Sequence, residues 1–231
     1  RRVLLDSLPR QPQRLAASGE PLMRILDISP TLRPAIAVWP GDTRFSRDVA
    51  LSFEKGDNLV LSGITTTLHV GAHTDAPIHY APAGQGIHER SLERYLGPCQ
   101  VVAVDCARGT RIQISDLKVP IQAPRVLFKT GSFPDPEHFN TDFCSLSPEL
   151  VDHLAQAGVV LVGLDTPSVD PVDSKALQAH NAIYRADMAI LEGVVLDAIA
   201  PGVYTLIALP LKIEGGDASP VRAVLVDGSL A

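Results

Sequence analysis

The sequence predicts an α/β fold, and three observations carry that reading. Short apolar, β-branched runs recur after Met23, stretches with helix start and stop signals lie between several of them, and 231 residues with 45% hydrophobic content can bury a core. The first run, 26–28, follows Met23-Arg24 and the Arg-, Pro- and Gln-rich residues 1–22. Residues 1–22 are expected to be an appendage, whether tag, upstream piece or targeting segment, and 23–231 a single domain. An Arg-rich transit peptide is one origin for that appendage, although Asp6, Glu20 and the prolines weigh against it. Further strands are expected at 64–70, 101–105, 126–129, 159–164, 204–208 and 223–226, most of them bounded by Gly, Pro or Asp. Between them, a short helix is expected around 92–96. A second runs from about Pro148 to Ala157, with Ser147 as N-cap, Pro148 at the first helical position and Gly158 as the stop. A third covers 174–185. The Pro/Gly-rich stretches 39–42, 81–86 and 133–137 read as loops within the domain.

One stretch concentrates the chemistry. His69-Val70-Gly71-Ala72-His73-Thr74-Asp75-Ala76-Pro77-Ile78-His79 holds three of the chain's seven histidines and a carboxylate. The four polar residues fall on odd numbers, so in an extended segment they project from one face, and Pro77 opposes a continuous helix. Fully extended, His69 and His73 would stand roughly 13 Å apart, too far to ligate one ion. A bend at Gly71 or a single helical turn, which brings residues four apart to about 6 Å, would converge them, and both geometries stay open. A lone histidine on a half-exposed strand is more often structural than a ligand. Four groups able to converge outweigh that reading and point to a metal site with a catalytic histidine beside it.

Bulk properties exclude other classes. A formal charge of -6, with no cluster of Lys and Arg, argues against a nucleic-acid binder. Three cysteines, Cys99, Cys106 and Cys144, form no CxxC pair and read as free thiols in a reducing compartment. No apolar run approaches the length of a membrane span, and no continuous hydrophobic signal segment opens the chain, so the cytoplasm is the expected location.

A second chemical feature lies downstream, where Glu192 stands alone in Met188-Ala189-Ile190-Leu191-Glu192-Gly193-Val194-Val195-Leu196. A buried carboxylate needs a cation, which an Arg, a Lys or a metal can supply. His180, on the expected 174–185 helix, reaches the same place if that helix leads directly into the Glu192 segment. Taken alone it reads as a surface or capping histidine. Asp165, Thr166 and Ser168 follow an expected strand, where substrate loops and plain turns are equally adequate accounts. His88, His138 and His153 have no convergent neighbours in sequence, and no Gly-x-Ser-x-Gly elbow supports a serine nucleophile.

The block Gly163-Leu164-Asp165-Thr166-Pro167-Ser168-Val169-Asp170-Pro171-Val172-Asp173-Ser174-Lys175, followed by Ala179-His180 and Asp187-Met188-Ala189-Ile190-Leu191-Glu192-Gly193, closely resembles the bacterial kynurenine formamidases of the cyclase-like metallohydrolase superfamily. Trp39-Pro40-Gly41-Asp42-Thr43 and the histidine run fit the same pattern, and the resemblance extends over nearly all of the chain after Met23. It implies a two-zinc site. His69, His73 and Asp75 would hold one ion, His180 would help hold the other, and Asp75 and Glu192 would contact both. His79 would transfer protons, and Trp39 would touch substrate. The broader superfamily commonly has Gly-Thr between its first two histidines, where this chain has Gly71-Ala72, a change the formamidase branch tolerates. The resemblance also implies a compact single domain with a mixed β-sheet core flanked by helices, the cyclase-like fold, assembled as a homodimer.

Ligand chemistry agrees independently. Imidazole and carboxylate donors without thiolates suit Zn, Mn, Co or Fe(II), so composition leaves the metal open and the resemblance selects zinc. Shared carboxylates offset repulsion between two dications. Lowering the pKa of water from about 15.7 to about 7 represents roughly 12 kcal/mol of differential stabilisation of hydroxide. The implied reaction is hydrolysis of N-formyl-L-kynurenine to L-kynurenine and formate in tryptophan degradation, with His79 moving a proton from water to the leaving nitrogen. Trp39 offers a stacking face, or else plain core packing. The rival readings are a cyclic-amide hydrolase of the isatin type and a non-catalytic metal- or small-molecule-binding protein.

Overall fold

Alternate residues of the central strands belong to two different cores, as period-two side-chain geometry requires. The computed structural model describes residues 23–228, so the expected 1–22 appendage lies outside the described residues. In chain order the strands are β1 (Arg24–Asp27), β2 (Ser46–Leu51), β3 (Leu61–Thr65), β4 (His73–Asp75), β5 (Leu96–Ala103), β6 (Arg111–Ile112), β7 (Arg125–Lys129), β8 (Ser145–Leu146), β9 (Leu161–Leu164), β10 (Ala189–Leu191), β11 (Gly202–Ile207), β12 (Ala218–Pro220) and β13 (Val224–Asp227). The helices are α1 (Pro148–Gln156) and α2 (Gln178–Arg185).

Seven strands form one mixed sheet in the order β1-β13-β11-β5-β7-β9-β10. Pairing is antiparallel from β1 to β5 and parallel from β5 through β7 and β9 to β10. The α/β class expected from sequence is present. Val102, Val126, Phe128, Val162, Leu164 and Ile190 face α1 and α2 in one core, while Val101, Leu127, Leu161, Ala189 and Leu191 face the other, beneath the segment that carries the histidine run. Both α-helices thus cover one face of the sheet, and loops with short 3-10 turns cover the other. Among the described residues, no helix is long and apolar enough to cross a membrane.

Local signals account for both ends of α1. The Ser147 hydroxyl accepts a hydrogen bond from the Leu150 amide at 3.2 Å, Pro148 begins α1, and Gly158 beyond it takes a positive φ. Several expected elements have other bounds, β5 beginning at Leu96 rather than at 101, and three differ for a visible reason. The strand expected over 64–70 stops at Thr65, and the Thr67 hydroxyl then accepts from the His69 amide at 3.2 Å, turning the chain. The helix expected from 174 begins at Gln178, because Leu177 sits in the left-handed region at φ +44° while the Ser174 hydroxyl accepts its amide proton. The helix expected over 92–96 is a single 3-10 turn, Leu92–Tyr95, that buries Tyr95 and runs straight into β5.

Candidate metal centre

Gly71 supplies the bend. Its φ is +58°, and a side chain there would press on Leu32, Pro30 and Ile36 at 3.0–3.2 Å. Beyond it the chain enters β4, where His73 and Asp75 share a face. A 3-10 turn, Pro77–His79, then folds back so that the His79 ring centroid lies 4.2 Å from that of His69. Of the two local geometries open in the sequence, the bent extended chain is the one adopted.

The other half of the cluster comes from the edge of the parallel sheet. One residue past β10, Glu192 forms an antiparallel bridge with His73. Gly193 follows with φ +65°, where a Cβ would lie 2.2 Å from the Gly71 carbonyl oxygen, so only glycine permits this approach. His180 arrives from the first turn of α2, which leads into β10 as the sequence required. Leu177 offers that helix no cap. Asp170 does so from outside: its carboxylate accepts from the amides of Ala179 (3.2 Å) and His180 (3.0 Å) and from His180 Nδ1 (2.8 Å), while Arg111 holds it at 2.8 Å.

The fold therefore assembles all five expected ligands. His69 Nδ1 stands 3.0 Å and His73 Nε2 3.5 Å from Asp75 Oδ1, and His180 Nε2 stands 3.5 Å from Asp75 Oδ2. His73 Nε2 also lies 3.1 Å from Glu192 Oε2. Two groups result, His69/His73/Asp75 and Asp75/His180/Glu192, with Asp75 common to both. Donors about 2.0–2.1 Å from one tetrahedral ion stand roughly 3.3 Å apart, and these separations match.

Two further observations fit a cation. Among the described residues, neither buried Asp75 oxygen has a hydrogen-bond partner despite the nearby imidazoles, an arrangement that is costly unless positive charge sits against them. Each of these three histidines also has its second ring nitrogen engaged from outside: His69 Nε2 with Asp217 at 3.1 Å, His73 Nδ1 with the Gly71 carbonyl at 2.9 Å, and His180 Nδ1 with Asp170. Such outer partners fix tautomer and orientation, leaving one nitrogen of each ring for a metal. No Arg or Lys touches Glu192 among the described residues, and its remaining oxygen accepts from the Val169 amide at 2.7 Å. Of the three cation sources that sequence allows for Glu192, Arg and Lys are absent from its contacts among the described residues, and a metal fits.

Electrostatics follow from this crowding. Burial would raise Asp75, but His180, His69 and His73 outweigh it and hold the carboxyl well below its usual range. Burial likewise opposes charge on the two outer ligand rings. For His69, the adjacent carboxylate of Asp75, with Asp217 and Glu192 behind, wins and lifts it to about 9. For His180, Asp170 and Asp75 lift it to about 10. His79 moves the other way, lowered mainly by burial, so at neutral pH it is a free base. Asp170 is pulled to about 2 because His180, two backbone amides and Arg111 overcome its burial.

The cluster forms the floor of a cavity of about 550 Å³. Trp39, Phe133 and Phe139 line its wall together with several prolines, and among the described residues no lining side chain is Lys or Arg. Trp39 is half-buried and meets Phe139 edge-to-face at 5.4 Å, so it is a rim residue with one exposed flank. Asp165 and Ser168 also line the cavity, but Asp165 is held by the Thr130 hydroxyl and the amides of Thr130 and Gly131, a turn-building role. Sequence does not single out Asp170 or Asp217. Asp170 stands in the quoted Asp-rich block with nothing local to mark it, and the only local sign of Asp217 is the preceding Gly215-Gly216 turn.

Residues 26–171 match the model of the family described as "Putative cyclase". Among solved structures, the chain resembles one described as a "Potential Metal-Dependent Hydrolase With Cyclase Activity" at 25% identity and a TM-score of 0.77, covering 90% of this chain and 99% of the other. A "predicted metal-dependent hydrolase" from Bacillus stearothermophilus matches at 24% identity and a TM-score of 0.75, covering 90% and 100%. Isatin hydrolase A from Labrenzia aggregata matches at 21% and 0.73, covering 90% and 94%.

Proposed function

This chain belongs to the cyclase family, and on that premise we propose that it is a metal-dependent hydrolase that converts N-formyl-L-kynurenine to L-kynurenine and formate. The observation that carries the reading is Asp75, a buried carboxylate with two unpartnered oxygens placed among His69, His73 and His180. We assign two zinc ions per subunit to these residues with Glu192, manganese or another divalent ion being able to replace zinc. Bound there, divalent ions supply Lewis-acid charge and water acidified to near neutrality.

The chain's own residues do the rest. Trp39 and Phe139 offer flat apolar surface to the arylamide ring, and the buried floor excludes bulk water. His79, neutral at physiological pH, takes a proton from the attacking water and delivers it to the departing arylamine nitrogen, which is a poor leaving group as an anion. The atoms balance as water plus formamide giving amine plus formic acid, which ionises to formate. We further propose a cytoplasmic homodimer. The free cysteines suit that compartment, and the exposed apolar side chains Phe53, Leu61 and Ile64 on and beside the β2–β3 hairpin suit a second copy.

A cyclic amide is the second reading, because isatin hydrolases share the fold and a flat bicyclic ring suits the same aromatic wall. The deciding experiment is a formate assay on purified, metal-loaded protein, with and without chelator, run beside isatin ring opening. Chelator-sensitive formate release from N-formyl-L-kynurenine is expected. Efficient isatin opening with no formate would replace the primary reading with the second.

A further inference from the structure

We propose that Asp217 is a positioning residue that orients both a metal ligand, His69, and the proton carrier, His79. The His79 half rests on the hydrolase reading above, whereas the His69 half does not.

Asp217 is delivered by a rigid frame. It immediately precedes β12, whose Ala218 pairs with Asp75 in β4, and its carbonyl accepts the Ala76 amide at 2.8 Å. The loop before it is pinned from the other side: the Ile87 amide donates to the Gly216 carbonyl at 2.8 Å, and the Gly215 amide donates to His88 Nδ1 at 3.1 Å. His88, to which sequence assigns no chemistry, thus holds this loop. With the backbone fixed, Asp217 Oδ2 lies 3.1 Å from His69 Nε2 and 3.6 Å from His79 Nδ1.

One oxygen therefore faces two rings. Because His69 directs Nδ1 at Asp75, a proton on Nε2 held by Asp217 leaves Nδ1 as the lone-pair nitrogen a metal requires. In His79, Nδ1 faces the same carboxylate, which leaves Nε2 to exchange protons with water and substrate. The two rings touch at 4.2 Å between centroids, so turning one displaces the other. Asp217 is about half exposed, and an ion pair that open adds little to folding stability. Its consequence is orientation.

His69, His79 and Asp217 also lie close enough together to hold an ion of their own, in which case Asp217 would be a ligand. Asp217→Ala and Asp217→Asn, each made alone and in a His79→Ala background, separate these roles. Thermal unfolding, metal stoichiometry, metal affinity by chelator competition, and kcat with KM are measured.

Orientation predicts an unchanged melting temperature for the metal-stripped protein, unchanged stoichiometry, affinity weakened roughly tenfold, and kcat lowered roughly tenfold to a hundredfold at constant KM. Asp217→Asn should recover part of both losses, since its amide oxygen still accepts a hydrogen bond. In the His79→Ala background the kcat loss should vanish and the affinity loss persist. Loss of a whole equivalent of metal, undiminished affinity, or a kcat loss that simply adds to that of His79→Ala would overturn the proposal. If the protein releases no formate and opens no isatin, the hydrolase reading fails, while the affinity measurement still decides the His69 half.

Discussion

His73 and Glu192 exchange both backbone hydrogen bonds, His73 amide to Glu192 carbonyl at 3.0 Å and the reverse at 2.9 Å, while their side chains meet at 3.1 Å. That bridge locks the ligand strand β4 to the sheet through β10. The geometry of the candidate metal centre is therefore backbone geometry.

Gly193→Ala tests this directly. A methyl group 2.2 Å from the Gly71 carbonyl, at a φ of +65°, forces the two segments apart. We expect a loss of about 2–4 kcal/mol in denaturant unfolding and a parallel loss of bound metal. Retention of both would show the bridge to be dispensable.

Glu192→Gln keeps volume and an oxygen acceptor for the Val169 amide but removes the charge. The fold should persist by circular dichroism, with metal affinity falling at least about tenfold in chelator competition.

His79→Ala should leave metal content near wild type and lower kcat roughly 10²- to 10⁴-fold with little change in KM. Elemental analysis beside steady-state kinetics checks it, and unchanged turnover would remove the assigned role.

Metal binding should release protons below about pH 9. His69 and His180, lifted to about 9 and about 10, are protonated at neutral pH when no metal is bound, yet must be neutral to ligate. Their contribution to the stability of the metal-free protein is complete below the unfolded histidine value near 6.5 and is lost as pH rises through 9 and 10. Calorimetry in buffers of different ionisation heat should count about two protons per chain near pH 7, and metal affinity should rise with pH.

Trp39→Ala should raise KM for an N-formyl arylamine by about fivefold to tenfold and spare metal content, because only an aromatic contact is removed. An unchanged KM would return Trp39 to simple packing.

Much of this was legible in the residues themselves. The odd-numbered spacing of His69, His73, Asp75 and His79 with Gly71 at the bend, the Ser147-Pro148 start of α1 and the lone carboxylate at Glu192 all act through near neighbours, and each has a local physical cause. Where tertiary contacts compete with local preference, the residues mislead. The β-branched run past Thr65 is turned by Thr67, and α2 waits until Gln178 for the cap Asp170 supplies from another loop.

Residue identities alone establish which donor types are present, that thiolates play no part in the expected ligand set, and that Gly71 is one place where a bend would bring the imidazoles together. Folding is what brings Glu192 and His180 to that run, makes Asp75 common to both groups, and sets Asp170 and Asp217 against the outer ring nitrogens. The reason is one of range. Periodicity and turn chemistry act over a few residues, whereas the meeting of remote carboxylates and imidazoles depends on strand order and pairing register, which are set by how the whole chain buries its apolar surface.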